Sequence, residues 1–199
     1  KYSETMLKYG TDKPDLRNPL IIHDITEIFT RDDVSFEIFK KLVKSGSRVR
    51  CIVTKNTKDK ARSFFDNIDN WAKEQGASGL AYFTLERDEN NEISAKGPIG
   101  KFFSKQALEE IMKKISFEEG DSIFLACGKK NEVEKITALA RDKIAEDLNL
   151  IDHSLFAFCW IVDYPMFEKD DITNKIIFSH NPFSMPQGDL NKNDYDNPL

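Results

Sequence analysis

Apolar residues recur at two different periods along the chain, which predict helices and strands in mixed order. Between residues 57 and 75, apolar side chains fall at three- and four-residue spacing, as in an amphipathic helix that ends at Gly76. The same spacing predicts a helix after Ser104, whose hydroxyl can cap it, and a longer helix capped by Asn131. One short helix is expected over residues 3–10.

Alternating and continuous apolar runs predict the strands. Alternation over residues 36–42 and 48–54, on either side of a Ser-Gly-Ser turn, predicts a β-hairpin with one buried face. Continuous apolar runs predict buried strands at residues 121–127 and 155–162, the second being the most apolar. The remaining strand-like segments are residues 79–85, 93–96 and 176–178.

The order of these elements bears on fold class and domain organisation. Hairpins, helices and strands that interleave irregularly are typical of an α+β fold with a mostly antiparallel sheet, rather than of a doubly wound parallel fold. Residues 21–150 could close a core of their own, whereas residues 1–20 and 151–199 are too short to be domains alone. We therefore predict that the two flanks belong to one other domain, from which the middle protrudes.

Composition excludes several classes of protein. The 199 residues are 40% hydrophobic and 11% aromatic with a net charge of −5, which argues against disorder and against coating nucleic acid by bulk charge. No apolar run approaches a membrane span. Three widely separated cysteines fit a reducing cytoplasm better than a disulfide framework. The chain begins at Lys1 without methionine and stops after a turn-rich stretch, so we expect a piece of a longer protein.

The histidines are the first candidates for chemistry. His23, His153 and His180 do not lie at metal-ligand spacing, so no metal site is expected. His180 stands in a proline-bounded loop, where a set backbone would let its ring donate to a carboxylate. A histidine that simply caps a turn is the alternative.

Charged residues and one glycine-rich turn are the next candidates. Lys13 and Arg17 stand on a stiff, proline-punctuated segment and could grip a phosphate or another domain, unless that segment is a solvated linker. The turn at residues 97–101 lacks the Gly-Lys-Ser/Thr ending of a phosphate loop, so we interpret it as structural. Basic residues around the predicted hairpin could contact an RNA backbone or form its solvent face: Lys40, Lys41, Lys44, Arg48 and Arg50.

Four segments carry the most specific pattern in the chain. Residues 9–17 read YGTDKPDLR, residues 96–102 KGPIGKF, residues 160–168 WIVDYPMFE and residues 180–186 HNPFSMP. In this order and spacing they resemble YGSDKPDLR, KGPIAKF, WVVDFPMFE and HHPFTAP of the bacterial-type aspartyl-tRNA synthetases. The resemblance covers essentially the whole chain.

This resemblance implies an architecture. In that family a class II catalytic domain, built on an antiparallel sheet, is interrupted by an α+β insertion called the GAD domain. Residues 21–150 are then the GAD insertion, and residues 1–20 and 151–199 are catalytic-domain flanks. The anticodon-binding barrel and the family's ATP-binding and dimer-forming motifs are absent from the chain. We therefore expect this chain alone to be catalytically inactive, with no cofactor bound.

The resemblance also implies a reaction for the parent enzyme. Aspartate and ATP, with Mg²⁺, form aspartyl-adenylate, and the aspartyl group passes to the 3′ end of tRNA(Asp), with tRNA(Asn) as a second candidate. The parent would be a cytoplasmic homodimer. His180 matches the histidine that contacts L-aspartate in the family, whereas Asn181 replaces a second histidine and cannot titrate. Lys13 and Arg17 become candidates for a tRNA or interdomain contact.

Two other functions stay open. The middle domain could be a module that binds tRNA or a partner protein, as the GAD module does in the B-type subunit of tRNA-dependent amidotransferases. Against an amidotransferase parentage, residues 13–17 and 163–168 follow the synthetase pattern. An independent α+β protein of another function is the third possibility.

Overall fold

The structure, a computed structural model, describes residues 1–170 and 173–179 of the chain. Two 3-10 helices span Thr26–Thr30 and Gly100–Phe102. In the described residues, no helix has the length and apolar character to cross a bilayer. The α-helices are α1 (Tyr2–Tyr9), α2 (Glu37–Lys44), α3 (Arg62–Glu74), α4 (Lys105–Lys114) and α5 (Lys130–Asp147). The strands are β1 (Ile22–Asp24), β2 (Arg48–Thr54), β3 (Ala81–Arg87), β4 (Ile93–Lys96), β5 (Ser122–Gly128), β6 (Phe167–Lys169) and β7 (Ile176–Phe178).

Strands β1 to β5 form one antiparallel sheet in the order β1-β2-β5-β3-β4. β5 lies at the centre, where Leu125 is opposite Cys51 of β2 and Ile123 is opposite Phe83 of β3. Both faces of β5 are buried, which explains why its apolar run is continuous rather than alternating. The predicted α+β fold with a mostly antiparallel sheet is confirmed.

Helices cover both faces of this sheet, and each face has its own apolar core. On one face, Phe83 and Leu125 pack with α2, α4 and the 3-10 helix at Thr26–Thr30. On the other face, Phe124 packs with α3 and α5. Each large apolar side chain buried in this way contributes roughly 1.5–3 kcal/mol to folding. The two cores are therefore the main source of stability of the central part of the chain.

The predicted first strand of a hairpin at residues 36–42 is wrong, because these residues form helix α2. The residues that pack on the core are Phe36, Phe39 and Val43, at helical rather than alternating spacing. Ile38, which the alternating pattern placed inside, is 64% exposed. The partner of β2 on this side is β1 instead, three residues long. A short apolar run fits both periods, and only packing decides between them.

The predicted strand at residues 155–162 is not formed either. The segment has no regular secondary structure and belongs to no sheet in the part of the chain that the structure describes. Its side chains face solvent, with Phe158 93% exposed and Trp160 92% exposed. Apolar character favours a buried strand only where a neighbouring strand supplies hydrogen bonds, and none of the described strands lies beside this segment.

The predicted start of α4 is confirmed, whereas the predicted starts of α3 and α5 are shifted. Ser104 caps α4 as predicted, since its Oγ accepts from the N–H of Ala107 at 3.0 Å. Helix α3 begins at Arg62 rather than Thr57, because the Thr57 hydroxyl is held in a buried cluster and donates to Ser122 Oγ at 2.8 Å. Helix α5 begins at residue 130, one position before the predicted cap Asn131.

Candidate functional site

Lys13 and Arg17, two residues singled out by the sequence, lie in the segment that joins α1 to β1. Lys13 is exposed. Arg17 is half-buried and grips Asp15 with two parallel hydrogen bonds, Nε to Oδ1 at 2.9 Å and Nη2 to Oδ2 at 2.7 Å. The hydrogen bonds from Arg17 lower the pKa of Asp15 to about 2. The guanidinium is thus committed within its own segment, and Lys13 is the cation that faces solvent.

The same segment is held against α5 by Arg141, a residue that sequence reasoning missed. Its side chain is 1% exposed. Nη2 donates to the backbone carbonyls of Asp15 at 2.8 Å and Asn18 at 2.7 Å, and Nε donates to that of Leu20 at 2.6 Å. The guanidinium also lies 4.9 Å from the ring centre of Tyr9, within cation–π range. Arg141 therefore ties α5 to three backbone carbonyls of an otherwise irregular segment.

Asn18 completes this connection from the other side. Its Nδ2 donates to the carbonyl of Arg141 at 3.1 Å and to Asp142 Oδ1 at 3.1 Å, while its Oδ1 accepts from the N–H of Leu20 at 3.0 Å. Burial lowers the pKa of Arg141, and nearby Asp142 acts against that shift. An arginine inside the apolar stripe of a helix was the one available signal, but single arginines on amphipathic helices are mostly solvent-facing.

Residues 1–2 meet residues 162–164 near the segment that joins α1 to β1. The N–H of Tyr2 donates to the carbonyl of Val162 at 2.8 Å, and Lys1 Nζ forms an ion pair with Asp163 at 2.8 Å. The rings of Tyr2 and Tyr164 are 5.1 Å apart. Residues more than 150 positions apart in sequence are thus adjacent, with the whole five-stranded domain between them in the chain.

A cleft of about 1010 Å³ runs between α1, the first turns of α5 and residues 163–169. Arg50 lies in its wall, 5% exposed, with Nη1 3.2 Å from Asp24 and Nη2 3.4 Å from Glu134. Its Nε and Nη1 make no hydrogen bond of good geometry with the described residues. Arg50 is therefore a buried, paired cation and not the surface contact for RNA that the predicted hairpin suggested.

The rest of that basic group is also dispersed by the fold. Lys40 donates to the carbonyls of Arg31 at 2.8 Å and Val34 at 3.0 Å, so it ties α2 to the preceding loop. Lys41 and Lys44 are exposed on α2, and Arg48 is exposed at the start of β2. Because α2 replaces the predicted strand, these residues do not lie on one face of a hairpin.

Among the described residues there is no cluster that fits a metal ion, and the glycine-rich turn at residues 97–101 is not a phosphate loop. No group of three or more histidine, cysteine and carboxylate side chains in residues 1–170 and 173–179 could hold a metal ion. The glycine turn is packed rather than open, since a Cβ on Gly100 would lie 2.5 Å from the carbonyl oxygen of Ala95. These residues do not fit ATP or Mg²⁺. His180 and Asn181, the candidates for contact with aspartate, lie outside the described residues.

Comparison with protein families defines the class of the central domain. The GAD domain family matches residues 39–137, which lie on the five-stranded sheet and its covering helices. The chain therefore carries a GAD domain, as the resemblance implied. The match falls inside the predicted limits 21–150, and those limits stay a prediction.

Curated relatives match the chain from end to end. It is 78% identical over 198 residues to the aspartate--tRNA(Asp/Asn) ligase of Pelagibacter ubique, covering 100% of this chain and 33% of that relative. It is 46% identical to the ligase of the same name from Erythrobacter litoralis, covering 100% and 32%, and 48% identical to that of Wolbachia pipientis wMel, with the same coverage. The chain is thus similar over its whole length to aspartate--tRNA(Asp/Asn) ligases, and it spans about a third of their length.

Proposed function

We propose that this chain is the part of an aspartate--tRNA ligase that contains the GAD insertion and its two junctions with the catalytic domain. The parent enzyme activates L-aspartate with ATP and transfers it to the 3′ end of tRNA(Asp). The carrying observation is that similarity to the ligases extends over the flanks as well as the GAD domain, at 78% identity over 198 residues. A free-standing GAD module would share only the middle.

The geometry of the ends supports an insertion. An inserted domain must leave and re-enter its host at neighbouring points, because the host chain continues across the gap. The backbone contact between Tyr2 and Val162 and the ion pair between Lys1 and Asp163 have that arrangement. The exposed apolar run at residues 155–162 would be buried if the catalytic domain of the parent packs against it.

Several finer features of the parent belong to the same proposal. It is a class II synthetase and a cytoplasmic homodimer that uses Mg²⁺ with ATP and accepts tRNA(Asn) as a second substrate. The names of the relatives, which include both Asp and Asn, support the last point. Mg²⁺ would neutralise ATP phosphates, and its ligands come from outside the described residues.

The candidate residues have separate roles in this proposal. His180 hydrogen-bonds the substrate carboxylate of L-aspartate. Lys13 and Arg17 belong to the interdomain segment, in which Arg17 sets the backbone through Asp15 and Lys13 is free to meet tRNA or the catalytic domain. The hydrogen bonds from Arg141 to this segment support the interdomain assignment.

Aspartate-dependent exchange of pyrophosphate into ATP tests the proposal. The whole protein should catalyse it, and the 1–199 chain should not, because the ATP-binding motifs lie elsewhere. In the whole protein, His180→Ala should raise KM for aspartate more than KM for ATP, because it removes a contact made to only one substrate. Exchange by the 1–199 chain, or equal effects on both KM values, would contradict these assignments.

A second candidate function is that the GAD domain binds tRNA or a partner protein such as an amidotransferase. One observation favours RNA over a protein partner. A surface cleft beside α3 is lined by four cationic side chains and by no carboxylate.

A further inference from the structure

This cleft, called the basic cleft below, has a volume of about 460 Å³. It lies where the loop after β2, the start of α3 and the end of β4 come together. Its cations are Lys58, Lys60, Arg62 and Lys96, and none of its lining residues is acidic. The chain as a whole has a net charge of −5, so this concentration of positive charge runs against the average surface.

Carboxylates touch these cations only from outside the basic cleft. Glu119 lies 4.0 Å from Lys58, and Glu86 lies 4.0 Å from Lys96, both at the outer limit of an ion pair. Arg62 pairs with Asp66 at 3.2 Å along α3, with 83% of its side chain exposed. Exposed pairs of this kind are weak, so a phosphate can compete for the cations.

Lys60 has no carboxylate within ion-pair distance among the described residues; its Nζ lies 5.8 Å from the ring centre of Phe64.

The start of α3 adds to the positive potential. No side chain caps this end of the helix, and its first turn contains no acidic residue. The first N–H groups of a helix attract anions, and Arg62, the first residue of α3, lines the basic cleft. Most helices of this chain, such as α1 with Glu4 and α2 with Glu37, place an acid in the first turn.

The floor of the basic cleft determines whether a nucleic acid would be contacted through its bases or through its phosphates. Phe65 and Tyr82 lie there with rings stacked 4.5 Å apart at an interplanar angle of 12°, and both are more than 90% buried. Because one face of each ring is covered by the other ring and more than 90% of each residue is buried, they offer no platform on which a nucleobase could stack. The available contacts are therefore to phosphates, without base readout.

We propose that the basic cleft binds the phosphodiester backbone of RNA. The proposal deepens the second candidate function and rests on it for the partner, since the relatives are named as tRNA ligases. An acidic protein partner would also meet the cations, but lysine is depleted at protein interfaces, so a cleft with three lysines among its four cations suits an RNA backbone better.

The test is the salt dependence of binding of a fluorescein-labelled tRNA(Asp) transcript to the 1–199 chain. With four phosphates neutralised, affinity should fall about 50-fold between about 50 and 200 mM salt, from a slope of about −0.7 per contact. The double variant Lys58→Gln/Lys96→Gln should bind more weakly at low salt and lose only about 7-fold over the same range.

A matched control removes the same charge elsewhere. Lys41 and Lys113 are exposed lysines outside the basic cleft. Lys41→Gln/Lys113→Gln should keep the wild-type slope, and both variants should keep the wild-type melting temperature. Equal loss of affinity in both double variants would assign binding to bulk charge and overturn the proposal.

Two further outcomes would also overturn it. One is the absence of tRNA binding at low salt. The other is that labelled polyglutamate, an acidic polypeptide, binds as tightly as the transcript. Inorganic phosphate at equal ionic strength should not displace the transcript, which separates a backbone site from a single-phosphate pocket. The pyrophosphate-exchange assay of the whole protein is run without RNA, so its result tests the ligase function separately from RNA binding.

Discussion

Replacing Arg141 with methionine tests whether α5 holds the interdomain segment. The change keeps most of the side-chain volume but removes the donors to three backbone carbonyls, those of Asp15, Asn18 and Leu20. Each hydrogen bond to a charged group is worth about 1.5–3 kcal/mol, and burial of the guanidinium offsets part of that sum. We expect the free energy of unfolding to fall by about 3 kcal/mol, within the range for breaking a buried charged contact.

Urea unfolding of the 1–199 chain measures this loss, with an unchanged m-value as the condition for a two-state comparison. The melting temperature should fall by about 6–12 °C for a chain of this size. Arg62→Met is the matched control: the same substitution at a side chain that is 83% exposed, where we expect less than about 0.5 kcal/mol. A loss at Arg141 no larger than that at Arg62 would refute the role given to this residue.

Three other predictions concern the start of α4, the turn before it, and Asp33, which accepts a hydrogen bond from Ser104. Ser104→Ala should cost about 1 kcal/mol in urea unfolding, because the cap of α4 is lost, and Ser104→Asn should cost less. The pKa of Asp33 is lowered to about 2, first by the hydrogen bond from Arg31, so its contribution to stability is present above about pH 4 and is lost as pH falls towards 2. In unfolding curves measured over a pH series, Asp33→Asn should lose less stability than the wild type between about pH 4 and pH 2. An equal loss in both proteins would contradict the assignment. Gly100→Ala should destabilise by about 1–3 kcal/mol, because the new Cβ would lie 2.5 Å from the carbonyl oxygen of Ala95, and calorimetry would show it.

The sequence predicts correctly those elements whose burial follows from the spacing of their own apolar residues. The apolar run of β5 and the stripe of α3 were placed within a few residues, and Gly10 ends α1 in the left-handed conformation, with φ of 68°. These features depend on helical or strand period and on backbone conformational freedom, both of which are local.

Residues whose role depends on distant partners are not predictable from the local sequence. The sequence predicts a strand in place of helix α2, because the period of this segment is ambiguous until Phe39 packs against Phe29 and Phe36 packs against Phe39. The strand expected at residues 155–162 lacks a neighbour among the described residues. Within the candidate site, Lys13 and Arg17 came from the motif, but the Arg17–Asp15 pair that withdraws one of them from any ligand is geometric.

The amino-acid order alone was enough to establish the α+β class, the kinship with aspartate--tRNA ligases and the middle position of the GAD domain. Motifs and periods are properties of neighbouring residues, so they survive without coordinates. Folding was needed to show that Arg141 reaches segments 121 to 126 positions away, and that Lys58 and Lys96 share one cleft. Such contacts arise because sheet pairing and core packing bring distant segments together, and no local pattern encodes which segments meet.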